Sequence, residues 1–367
     1  VRTIRRLIYR EVLAAVVFVA IGFLALFFFF DFVDELPNVS RGTDQYRLTQ
    51  ALAYVTLMIP AHLYELLPIA VLIGTIFVMA RLAQSSEYTI LRTSGLGPWR
   101  AMRTLLALGV IFTLLTFAAG DYLAPVADRT AQLLKARLEG RISIGWTGAW
   151  LKERQPERTY SVNVGALTPE GDMKGVRIFE SDARGYIVSV TQAANAQFAP
   201  DGAWLLRQAE RTEFPRRGST LVRVERRMVP ELRWPTEISP EMVSVALLKP
   251  DRMSTIDLFQ YIRHLEANQQ TSQRYEIEFW RKVFYPLSCM VMVVLALPFA
   301  YLHFRTRGIT GYVFGGVLIG ISFFLLNNVF GYIGNLRNWQ PWITAAAPGL
   351  IYTMLSLGAF GWLVLRR

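Results

Sequence analysis

The chain has 367 residues and a formal net charge of +11, and it is 53% hydrophobic but only 18% charged. Its apolar residues fall in long blocks near both ends around a polar middle, which argues against a wholly water-soluble domain and for a polytopic α-helical membrane protein with a large water-exposed insertion. Nucleic-acid binding is a poor reading of the charge: residues 121–282 carry 24 basic and 21 acidic side chains, and most of the excess flanks the apolar blocks, where positive residues set topology.

In chain order, spans are predicted at 12–32, 58–80, 102–124, 283–302, 309–332 and 342–364. Each is near the twenty residues that cross a hydrocarbon core of ~30 Å with every backbone group paired inside the helix. The basic start VRTIRRLIYR resembles a signal n-region. The apolar run after it is too long for one and no small-x-small site follows, so a retained helix is expected. Pro60 predicts a bent entry to the second span. Twelve basic residues flank one side of the spans (Arg2, Arg5, Arg6, Arg10, Arg81, Arg92, Arg100, Arg103, Arg305, Arg307, Arg366 and Arg367). The opposite short loops carry Arg41, Arg47 and Arg337 alone. That bias puts both termini in the cytoplasm and the insertion in the periplasm of a bacterial inner membrane.

The expected division is residues 1–124 (spans one to three, with a cytoplasmic element near 81–95), 125–252, 253–282 and 283–367 (spans four to six). After a helical linker at 125–139, YSVNV, VRIFES, YIVSVTQ, AWLLRQA and TLVRVERRM alternate like half-buried strands between the breakers GAL, PEGD, DARG, PDG and PRRG. Residues 140–248 are therefore expected to be all-β, a sandwich or open jelly roll. A rigid spacer and a groove or open edge that receives a partner both fit that pattern. Ser254 with Asp257 reads as the capped start of an amphipathic helix with Leu258, Ile262 and Leu265 on its buried stripe and His264 on its exposed side.

Chemistry of its own is not legible. There is no GxxxxGK[ST] phosphate loop, HExxH pair, CxxC pair or Gly-x-Ser-x-Gly elbow. The single cysteine, Cys289, allows no internal disulfide. His62, His264 and His303 make no metal set, so no catalytic residue, metal or bound cofactor is expected. Asn327 and Asn328 in span five bond between helices or line a polar portal. Gly311, Gly315 and Gly316 in the same span permit close helix approach. Arg81–Gly95, RLAQSSEYTILRTSG, is too polar to span and fits either a connecting loop or a short helix across the membrane face.

The order of three spans, a β insertion and three more spans resembles the permease subunits of the bacterial lipopolysaccharide export machine, the LptF/LptG family. FVDEL at 32–36, MARLAQSSEYTILRTSG at 79–95, DYLAPVA at 121–127, RYEIEFWRKVFYPLS at 274–288 and NNVFG at 327–331 carry the resemblance, and they favour its LptG branch over the LptF branch. It implies a partner LptF-like subunit, an LptB-like ATPase dimer that uses ATP and magnesium, an LptC-like single-span protein, a periplasmic LptA-like bridge, and lipopolysaccharide as cargo. It makes 81–95 a coupling helix, with Glu87 docking in the ATPase and Tyr88, Leu91 and Arg92 beside it. It makes the β unit a jelly roll, and it places a lateral gate at Phe30, Asn327, Asn328 and Phe330. Phe27, Phe28, Phe30 and Phe32 supply an apolar cavity wall, with Arg41 and His62 as rim candidates. At that rim the sequence departs from the basic residues expected: it reads DFVDELPNVSRG, with Asp31, Asp34 and Glu35 of the wrong sign. A membrane-anchored periplasmic adaptor is the alternative from another functional class.

Overall fold

The computed structural model describes residues 2–41, 47–85, 90, 97–139, 148–168, 171–217, 220–221, 223–246, 250–301 and 309–365. They form two compact units, one of residues 1–36, 55–127 and 276–367 and one of residues 37–54 and 128–275.

The first unit is a helical bundle. Six helices are long and apolar enough to cross a membrane: Arg5–Pro37, Leu48–Gln84, Pro98–Gln132, Gln273–Tyr301, Thr310–Arg337 and Pro341–Trp362, here spans one to six. Each contains nearly all of its predicted core. Span two, expected to enter bent at Pro60, is one helix through Pro60 and Pro68. Of the most apolar 18-residue window of each, 83% is buried in span two and 67% in span four, against 17% in span one and 22% in span five. Spans two and four are thus the interior helices, and spans one and five turn apolar faces outward.

Antiparallel neighbours lock at matched depths. Arg81 Nη2 donates to Glu11 Oε2 at 2.7 Å at one end of spans one and two, and Asp31 meets His62 at the other. Thr116 Oγ1 lies 3.2 Å from Cys289 Sγ between spans three and four. The close approach of span five to span two uses Gly316 and Gly320, where a Cβ would meet Ile76 and Ile69 at 2.7 and 2.8 Å. Of the three glycines expected to permit close approach, Gly316 does so, while Gly311 and Gly315 have nothing within 4 Å of where a Cβ would sit.

The second unit is built on one antiparallel six-stranded sheet in the order β1 (Ala149–Arg154), β2 (Arg158–Leu167), β3 (Met173–Asp182), β4 (Ile187–Phe198), β5 (Ala203–Glu213) and β8 (Glu225–Pro235), with a separate hairpin of β6 (Arg216–Arg217) and β7 (Thr220–Leu221). Apart from the hairpin, neighbours in sequence are neighbours in space, so among the described residues the expected all-β unit is built on one continuous antiparallel sheet. TLVRVERRM, expected as one strand, is divided between β7 and β8.

One row drops out of the ladder in five successive strands: Gly165, Gly175, Ala194, Gln208 and Pro230. Gly175 (φ 63°) and Gln208 (φ 50°) are left-handed there, a conformation costly for any residue but glycine, and Pro230 has no N–H to give. The sheet is creased along that line. Its core side carries Leu151, Val162, Val164, Ile178, Leu206 and Trp204, whose indole Nε1 donates to Ile238 O at 2.7 Å.

The helix Thr255–Ala267 starts as expected: Ser254 Oγ accepts from Asp257 N at 3.1 Å while Ser254 N donates to Asp257 Oδ2. Leu258, Ile262 and Leu265 are buried. His264 is not an exposed residue. It is half-buried, stacked on Tyr261 with ring centroids 6.2 Å apart, and its Nδ1 faces Asn268 Nδ2 at 3.4 Å. Burial lowers its pKa, opposed by the carboxylates of Glu153 and Glu237.

Candidate functional site

Most of the predicted cavity and gate residues fall at the end of the bundle from which the chain leaves for the β unit and to which it returns. Span one brings Phe27, Phe28 and Phe32 there half-buried, with the Phe30 ring accessible and edge-on to Phe29 at 5.9 Å. Asp31 Oδ2 lies 2.6 Å from His62 Nε2 on span two, and the Phe27 ring centroid is 5.0 Å from that imidazole. His62 therefore has a carboxylate neighbour from its own chain. Arg41 is the last residue of the first helix.

On span five Asn327 is buried and Asn328 accessible, and Phe330 stacks edge-on with Trp339, 6.2 Å between centroids. The Asn327 main-chain carbonyl accepts from Arg281 Nη2 at 3.1 Å. Arg281 also gives Nη1 to Glu278 Oε1 at 2.9 Å. The next residue, Lys282, is buried and donates Nζ to the Gly120 carbonyl at 2.8 Å. One turn on, Tyr285 OH donates to the Glu65 carbonyl at 2.5 Å. Span three is a π-helix over Ala119–Leu123 at this level, a geometry that displaces carbonyls from the regular ladder and recurs at functional positions.

Sequence reasoning missed this polar layer. Its signal was two adjacent cations and a tyrosine entering an apolar run, inside the segment 274–288 that was legible only as a family motif. At the opposite end, Ser85 Oγ caps the Arg81 carbonyl at 3.1 Å. The expected coupling residues Glu87, Tyr88, Leu91 and Arg92 lie outside the described residues. Among the described residues no three His, Cys, Asp or Glu side chains gather as a metal site. What the layer does chemically is hold helices, through donors aimed at main-chain carbonyls.

The bundle, the insertion and this layer can be set beside known proteins. The chain is 27% identical to the lipopolysaccharide export system permease protein LptG of Escherichia coli (strain K12), over 92% of this chain and 90% of that relative. It is 26% identical to the protein of the same name from Haemophilus influenzae (strain Rd), over 100% of this chain and 99% of that one. The family model described as lipopolysaccharide export system permease LptF/LptG matches residues 6–366. Six membrane-capable helices around a β insertion, matched end to end, place the chain in the LptF/LptG family of lipopolysaccharide export system permeases.

Proposed function

We propose that the chain is the LptG-type subunit of an ATP-driven exporter that extracts lipopolysaccharide from the bacterial inner membrane and passes it to a periplasmic bridge. The observation that carries this is the family match across the whole architecture, spans and insertion together. In this reading both termini are cytoplasmic and the β unit is periplasmic. An LptF-like subunit completes the cavity, and the apolar faces that spans one and five leave uncovered are available to it and to lipid. An LptB-like ATPase dimer grips residues 81–95 through Glu87, Tyr88, Leu91 and Arg92, and supplies all the ATP and magnesium chemistry; this chain is a non-catalytic subunit. An LptC-like single-span protein and an LptA-like bridge receive the cargo.

Lipopolysaccharide presents phosphates above acyl chains, which suits an apolar wall of Phe27, Phe28, Phe30 and Phe32 under a polar rim. Arg41 and His62 are the rim candidates. At His62 a phosphate would compete with Asp31, already 2.6 Å away. Phe30, with Asn327, Asn328 and Phe330, belongs to the lateral gates formed with the partner subunit.

The decisive experiment is ATP-dependent release of lipopolysaccharide from proteoliposomes holding the assembled complex. Glu87→Arg is expected to strip the ATPase from the purified complex and abolish release. An intact complex with undiminished release in that variant overturns the coupling assignment.

A further inference from the structure

We propose that Arg281, Lys282 and Tyr285 form a clamp on helix backbones, and that its Arg281 arm is a positioning group for span five. The role in transport rests on the reading above, which puts span five at a lateral gate; the clamp itself does not. Three side chains within five residues each donate to a main-chain carbonyl of a different span: Tyr285 to Glu65 of span two, Lys282 to Gly120 of span three, Arg281 to Asn327 of span five. A carbonyl in a helix has a second lone pair for a side-chain donor, and the Gly120 carbonyl has both to offer, since Ala124 N donates to Ala119 O and residue 125 is proline. A buried cation in a membrane helix is costly unless its N–H groups are occupied, and this is how the bundle occupies them.

The arms differ in strength. Lys282 is only 7% exposed and its ammonium also lies 5.6 Å from the centroid of the Tyr64 ring. That ring packs directly on Gly120, where any Cβ would fall inside it. The lysine arm is thus enclosed by spans two and three together. Arg281 is more open, with 18% of its side chain exposed. It holds span five by the longest of the three bonds, 3.1 Å, and its Nε is buried without an acceptor. Its guanidinium occupies the space left by the missing side chain of Gly331, one turn beyond Asn327: a methyl there would overlap Nη2. The arm that touches the gate helix is the one most easily withdrawn, and glycine at 331 is what lets it engage.

The test is amide hydrogen exchange on the complex assembled with its partner subunit and ATPase in nanodiscs, followed by the release assay. Arg281→Ala is expected to speed exchange across residues 325–334 about tenfold, the loss of one charge-assisted bond, leaving residues 105–116 unchanged. Gly331→Ala should do the same by evicting the guanidinium. In the Arg281→Ala background Gly331→Ala should add nothing, because the group it displaces is gone. Additive effects of the two changes, or equal loosening of all spans, overturn the clamp. If Arg281→Ala does not assemble, Arg281→Lys, which keeps the charge and loses the fork, is read against the same criteria. In the release assay both single variants are expected to hydrolyse ATP while releasing at least about fivefold less lipid. Unchanged release beside the localised exchange removes the gate role. Failure of the unaltered complex to release lipid overturns the transport reading and leaves the exchange result standing.

Discussion

The two units handle charge differently. On the inward face of the sheet, cations meet carboxylates: Glu180 is buried and accepts from Ser189 Oγ at 2.6 Å and Arg211 Nη2 at 3.1 Å, with Arg158 on its other oxygen. Arg211 and Arg227 continue the array to Glu213 and Glu225, at 3.0 and 2.7 Å. The helical bundle has side-chain pairs too, Arg81 with Glu11 and Arg281 with Glu278, but there Arg281 and Lys282 also donate to main-chain carbonyls. Each added carboxylate in an apolar bundle is a second ion to desolvate, whereas the helix backbone is already there with acceptor capacity to spare. The β unit faces no such constraint, because its Arg211, Glu213, Glu225 and Arg227 side chains are partly open to water. The bundle therefore adds to its side-chain pairs a set of contacts between a side chain and a main-chain position, which residue types alone do not pair.

The largest test of that division is Trp204→Ala. Its indole is fully buried in the β core, and truncation should cost about 3–5 kcal/mol. Limited proteolysis is expected to find the β unit degraded and the bundle intact; joint collapse would mean that the two are not separable. Next comes a paired comparison in span five. Gly320→Leu should destabilise the bundle by about 1–3 kcal/mol through overlap with Ile69, and Gly311→Leu should be silent in the same thermal assay. Equal effects would dissolve the distinction between the packed and open glycines. The smallest effect concerns His264, held neutral by burial. Its folded pKa lies below the ordinary 6.5, so the stability it contributes is fully present above pH 6.5 and is lost as pH falls through the lowered value. Amide protection in Thr255–Ala267, taken relative to the intrinsic exchange rate at each pH, should fall on acidification, and His264→Gln should flatten that fall.

Spans and most strands were legible because they advertise themselves by period and length. β1 was not recognised, since AWLKER offers only three inward positions, Ala149, Leu151 and Glu153, and one of them is acidic. The strand pattern left the order of pairing open: β5 pairs with β8 across the β6–β7 hairpin, a long-range choice with no local mark. That only Gly316 of the three expected glycines is close-packed has a similar cause. Gly311 and Gly315 fit the spacing as well as Gly316 and Gly320 do, and only Ile76 and Ile69 on another helix decide between them. Arg281, Lys282 and Tyr285 stood inside a recognisable motif, yet their acceptors are carbonyls, which every residue has.

The π turn at Ala119–Leu123 holds one residue more than an α turn needs. Span three therefore carries a single-residue surplus that deletion can remove while leaving an unbroken α-helix. The side chains on either side would keep their faces, because a π turn confines the extra residue to itself, and only the carbonyls of 119–123, Gly120 among them, would shift. A one-residue change of length at this point is thus a change that the helix faces on either side of it can absorb.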